Sequence, residues 1–149
     1  VGMKCALPVE WKNLTWFGRG PHESYDDRKE SAYVGIYNGI VSEQSFPHIM
    51  PQENGNKTDN RWLEIYDDFG SGIRITGKPF FNFNIQNYSD KDLNRSKKAH
   101  TLIRGEKNWL HIDYKQMGLG GDDSWSPRVH KEFLLKNKVY HYTYAIEPL

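Results

Sequence analysis

The sequence predicts an all-β fold, an antiparallel β sandwich, and three observations carry that prediction. Strand-like segments recur along the 149 residues at roughly eight- to twelve-residue spacing, with turn residues between them. Aromatic residues make up 14 % of the chain and sit mostly within those segments, where flat or branched side chains fill a pleated, half-buried surface. The connections are long and irregular, built from Gly, Pro, Asn, Asp and Ser. Helical periodicity is confined to one or two short stretches.

Taken in order, Val1 opens inside a strand-like segment and is not a Met, so the sequence reads as a piece of a longer protein. Residues 14–17 form the next strand candidate, and a short helix is possible within 26–33. Strands are expected at 61–67 and 72–76, joined by Gly70-Ser71-Gly72 as a hairpin turn. Another is expected at 80–86. Ser89 is placed to cap a helix over 90–98, with Asp90 and Asp92 favourable in its first turn. Strands then follow at 99–103 and 109–115. The end of the chain reads as a hairpin, in which 130–136 pairs through Asn137-Lys138 with 140–147. There Tyr140, Tyr142, Tyr144 and Ile146 alternate with His141, Thr143, Ala145 and Glu147, the period-two pattern of a strand with one buried face.

Composition bounds function as well as fold. No linker or low-complexity tract divides the chain, so residues 1–149 are expected to form a single or partial domain. Twenty Lys and Arg against 19 Asp and Glu give a net charge of +1 without a basic stripe, which argues against nucleic acid as a partner. Cys5 is the only cysteine, so neither an intrachain disulfide nor a cysteine zinc site can form. No apolar run is long enough to span a membrane. A soluble protein is expected, cytoplasmic or periplasmic depending on the sequence upstream.

The segment most suggestive of chemistry is Gly118-Leu119-Gly120-Gly121-Asp122-Asp123-Ser124-Trp125-Ser126-Pro127. Its glycines allow a tight, side-chain-poor path and Pro127 ends any local ladder. It is no phosphate cradle, because the G-x-G-x-x-G spacing is incomplete and Ser-Pro stands where a helix would begin. Two readings of Trp125 remain. An indole presented by a loop suits the C–H face of a sugar ring, whereas Trp residues in general are largely buried in their own core.

Met117 to Pro127 resembles the signature near the end of the β-galactosidases of glycoside hydrolase family 2. Trp16-Phe17-Gly18-Arg19-Gly20-Pro21-His22-Glu23-Ser24-Tyr25-Asp26-Asp27-Arg28 is similar to the G-x-G-P-x-E-x-Y-x-D-R segment of the same domain. Pro51-Gln52-Glu53-Asn54-Gly55 resembles its P-x-E-N-G turn. Phe83-Asn84-Ile85 with Tyr88-Ser89, and Tyr140-His141-Tyr142, resemble two further segments. Order and spacing agree over nearly the whole chain.

The resemblance implies a sandwich of galactose-mutarotase (supersandwich) type, of which this chain is the C-terminal half. It implies a parent enzyme that hydrolyses terminal β-D-galactosides with retention, its catalytic glutamates lying on a barrel domain elsewhere. Trp125 then reaches into that active site and stacks on sugar, with Asp122, Asp123 and Ser124 supporting the loop. Gly20, Pro21, Glu23, Tyr25 and Arg28 become a rigid turn with a Glu-Arg or Asp-Arg pair facing another domain, and Glu53, Asn54 and Gly55 a structural turn. The implied partners are the enzyme's other domains and a galactoside, in a homo-oligomeric parent. Magnesium and sodium are implied for the parent, held mainly by other domains.

Hydrolysis on this pattern needs two carboxyl groups flanking the scissile bond. Asp122-Asp123, Glu23 with Asp26-Asp27, and Glu53 are candidates by loop position alone, and no catalytic residue is assigned here. The six histidines show no H-x-H or H-E-x-x-H spacing, so no metal ligand is assigned either. Two alternatives are a free-standing carbohydrate-binding module and an aldose epimerase of mutarotase type. The latter requires an acid/base pair, commonly His and a carboxylate, on one sheet face.

Overall fold

In a computed structural model, which describes residues 1–136 and 139–149, the chain is an antiparallel all-β structure, the class the sequence predicts. Its strands are β1 (Gly2–Pro8), β2 (Asn13–Gly20), β3 (Tyr33–Ile40), β4 (Lys57–Tyr66), β5 (Gly72–Gln86), β6 (Lys107–Asp113) and β7 (Thr143–Pro148). One short helix, α1 (Asp90–Arg95), joins them. The sheet runs β1-β6-β5-β4-β2-β3, with β7 added to β5.

The long β5 organises this order. Ile73 to Lys78 pair with β7, and Asn82 to Gln86 pair with β6. The change of neighbour falls at Pro79, which has no N–H to give to a ladder. Alternate residues of four strands then face one core: Leu14 and Trp16, Leu63 and Ile65, Ile75 with Phe83 and Ile85, Leu110 and Ile112. Trp16 meets Phe83 edge-on at 5.9 Å although β4 lies between their strands, so the sheet curls around this core. The Tyr144 hydroxyl on β7 donates to Met3 Sδ on β1 at 3.0 Å, tying the last strand to the first.

Local chemistry accounts for the turns. Asp67 Oδ1 accepts the N–H groups of Phe69 and Ser71 at 2.8 and 2.9 Å, and Gly70 takes φ +84°, closing the expected hairpin between β4 and β5. Ser89 and Asp92 form a capping box at α1. The helix is shorter than expected, ending at Arg95.

Several expectations need correction. Residues 99–103 are not a strand: Ala99–Thr101 is a 3₁₀ turn, and Ile103 beyond it is 84 % exposed. Lys131–Phe133 is likewise a 3₁₀ turn inside the expected 130–136 strand, and the expected turn at Asn137-Lys138 lies outside the described residues. No helix forms within 26–33, where Tyr25 and Arg28 instead make an isolated bridge. Strand β3 was not anticipated. It pairs with β2 from Asn13↔Ile40 to Gly20↔Tyr33, but Gly35 and Gly39 interrupt the alternation by which a strand is recognised.

Candidate functional site

Two segments singled out by sequence, 20–28 and 51–55, are joined into one hydrogen-bonded unit. Gly55 has φ +82°, and a Cβ there would lie 2.0 Å from the Gln44 carbonyl oxygen, so glycine is required on both counts. Its N–H donates to Glu23 Oε2 at 2.8 Å. Asn54 turns its amide inward, accepting the Phe46 N–H at 2.6 Å and donating to the carbonyls of Phe46 and Gln52 at 3.0 and 3.1 Å. Gln86 Nε2 donates to the Asn54 carbonyl at 3.0 Å, and the Asn84 amide contacts the same oxygen. Ser24 N–H donates to the Asn56 carbonyl at 2.7 Å, while Asn56 Nδ2 returns a bond to Ser24 at 2.8 Å.

Beneath this unit lies Lys57, only 2 % exposed. Its Nζ donates to the Gly55 carbonyl at 3.0 Å and stands 5.6 Å from the centre of the Trp16 ring. Burial pulls the amine down to about 8, against the opposing charge of Glu23. Tyr25 is buried too, and burial pushes its hydroxyl above the usual range. Arg28 is exposed and forms no ion pair among the described residues, contrary to expectation. Arg19, nine positions earlier, does pair, with Nε 2.7 Å from Asp59 Oδ2.

The Trp125 loop rests on this body. Gly120 N–H donates to Asp27 Oδ2 at 2.7 Å, and Gly118 N–H to the Phe133 carbonyl at 3.0 Å. Gly120 and Gly121 take φ +69° and +86°, the left-handed region that glycine enters without strain. Burial opposes the charge of Asp27, but the N–H groups of Gly120 and Leu119 outweigh it and hold the carboxyl below the usual range. At the tip, Asp123 Oδ1 accepts the N–H groups of Trp125 and Ser126 at 3.1 and 2.6 Å. Asp122 contacts His130 Nε2, and that bond raises the imidazole's pKa. Ser124 is exposed and makes no side-chain hydrogen bond among the described residues; it is Ser126 Oγ that accepts the Arg128 N–H, at 3.3 Å. Trp125 itself is 84 % exposed, so its ring is not packed into the core.

A third feature was not legible in the sequence. His111 on β6 lies with Nδ1 3.8 Å from Glu53 and Nε2 3.6 Å from Asp90, which in turn pairs with Lys4 at 2.6 Å. Burial raises the Glu53 carboxyl, His111 lowers it, and Asp113 and Asp90 add to the rise. Glu53, His111 and Asp113 border an open cavity of about 430 Å³ lined also by Tyr25, Met117 and Leu119, next to the base of the Trp125 loop. Strand register places His111 opposite Asn84, a proximity that sequence spacing could not reveal. Among the described residues no group of three or more His, Cys, Asp or Glu side chains could hold a metal ion, and no helix is long and apolar enough to cross a membrane.

Residues 1–146 match the protein family described as the beta galactosidase small chain. The chain is 44 % identical to a β-galactosidase of Vibrio cholerae over 142 residues, covering 95 % of this chain and 13 % of that protein. Against a β-galactosidase of Priestia megaterium identity is 41 % over 150 residues, 100 % of this chain and 14 % of the relative. A Lactococcus lactis β-galactosidase is 39 % identical over 142 residues, or 95 % and 14 %.

Proposed function

Because the chain belongs to the β-galactosidase small chain family, we propose that it is the C-terminal sandwich domain of a larger enzyme that hydrolyses terminal β-D-galactosides with retention. In this reading the two carboxyl groups of the reaction lie on another domain. This chain supplies a scaffold for neighbouring domains and one ring that stacks on bound sugar. The observation that carries the proposal is the state of Trp125: a large indole, 84 % exposed at the tip of a loop whose base is fixed by Asp27. An exposed ring on a fixed support is poised to cover the apolar face of a pyranose, a contact of about 0.5–1.5 kcal/mol beyond area burial. Asp123 serves that purpose by fixing the backbone of Trp125. Magnesium and sodium, if the parent uses them, are assigned to its other domains, and no step here runs through either.

The epimerase alternative finds its two residue types in His111 and Glu53, but not their arrangement. At 3.8 Å the two groups face each other, and Asp90 lies 3.6 Å from the other ring nitrogen of His111, so both imidazole nitrogens are turned to carboxylates of this chain. The test of the main reading is an assay of the purified chain with a chromogenic β-galactoside. Hydrolysis at the buffer rate is expected. Turnover that persists through repurification and is lost on replacing a carboxylate of this chain would overturn the proposal.

A further inference from the structure

We infer that Asp27 is a positioning residue for sugar binding: it anchors the Trp125 loop to the sheet body and so sets where the indole meets the substrate. The inference rests on the reading of Trp125 as the stacking ring. A loop that carries an exposed ring contributes to binding only if the ring is already held near its bound position, because ordering it on binding costs affinity.

Among the described residues, the loop's hydrogen bonds fall into three groups. Those of Asp123 are internal to the tip. Gly118 to Phe133, Arg128 to Ser126 and Asp122 to His130 all tie the loop to the segment that immediately follows it. That segment is no independent support, since the Phe133 N–H turns back to the His130 carbonyl at 3.0 Å. The attachment that leaves residues 118–133 runs to Asp27, 93 positions from Gly120, whose N–H donates to Oδ2 with the Leu119 N–H beside it. Asp27 is itself held on rigid ground. Its neighbour Tyr25 exchanges backbone bonds with Arg28, and Ser24 is bonded to Asn56 and to Thr58, at the start of β4.

The glycines fit this single anchorage. A Cβ on Gly118 would lie 2.6 Å from Asp27 Oδ2, and one on Gly120 would lie 2.3 Å from the Arg128 carbonyl oxygen. The loop backbone can therefore lie against the carboxylate at Gly118, and fold back under Arg128 at Gly120, only because neither carries a side chain. The glycine run and the aspartate are two halves of one contact. Asp27 Oδ1 is buried without a hydrogen-bond partner, which leaves the loop amide as the principal contact of the carboxylate.

The test is a kinetic double-mutant cycle in the whole enzyme that carries this domain, with Asp27→Ala, Asp27→Asn and Trp125→Ala. Trp125→Ala is expected to raise KM about two- to tenfold. Asp27→Ala should raise KM by a similar factor with kcat little changed, and in the Trp125→Ala background it should raise KM no further. Asp27→Asn keeps an acceptor for the Gly120 N–H, so a smaller rise is expected, and its unfolding midpoint separates loss of the anchor from loss of the fold. If Trp125→Ala raises KM while neither Asp27 variant does, the anchoring role is wrong. An Asp27 effect that survives in full without Trp125 would also refute it, because the residue would then act on something else. An unchanged KM for Trp125→Ala would instead remove the stacking role on which the inference stands.

Discussion

The segments 20–28 and 51–58 and the loop 118–127 are both built from Gly, Pro and acidic residues, yet they hold themselves in opposite ways. In the first pair the polar groups point inward: Ser24, Asn56 and Thr58 are buried and bond across the gap between segments, while Asn54, also buried, bonds to Phe46 and Gln52. In the loop the polar groups serve the tip, the ring points to solvent, and a single carboxylate makes the hydrogen bond to the body. Buried polar networks are costly when any member is lost, whereas exposed loops tolerate change. The comparison separates a region that maintains the fold from one that presents a side chain.

Replacing Gly55 by Ala should have the largest effect on stability. The new Cβ would meet the Gln44 carbonyl oxygen at 2.0 Å in a backbone at φ +82°, a combination worth about 2–4 kcal/mol of destabilisation. Denaturant unfolding measures it. A loss comparable to that of Gly121→Ala, which meets nothing within 4 Å and bears only the left-handed backbone cost, would erase the distinction between the regions.

Lys57 gives the comparison a pH signature. In the folded chain its amine loses its proton near pH 8, while the unfolded chain keeps it to about 10.5. Between those values unfolding takes up a proton, so raising the pH favours the folded state. Stability relative to Lys57→Met should therefore rise across that interval, by at most about 3 kcal/mol, and stay level below it. A difference between the two proteins that does not vary with pH would mean that the amine is not held in a desolvated state.

Which parts of this were legible in sequence follows the same division. Residues 110–115, where Leu110, Ile112 and Tyr114 alternate with His111, Asp113 and Lys115, are recognisable because a sheet face needs period two. Residues 99–103 and 130–136 carry comparable apolar content, but among the described residues no partner strand lies beside them, and a strand is defined by its ladder. Leu102 and Ile103 look like strand residues only until their neighbours are known. Trp125 could be singled out because its loop chemistry is local. Asp27 could not, since its contact with Gly120 spans 93 positions, and a second carboxylate, Asp26, stands beside it in sequence. The proximity of His111 to Glu53 was opaque for the same reason.

The smallest expected change in stability bears most directly on the central claim that Trp125 is presented for sugar and is no part of the core. Trp125→Ala in the whole enzyme should leave the unfolding midpoint unchanged within the ~0.5 kcal/mol typical of surface substitutions, while KM rises by a factor that depends on the aglycone. A midpoint several degrees lower, with KM unchanged for every substrate, would contradict it.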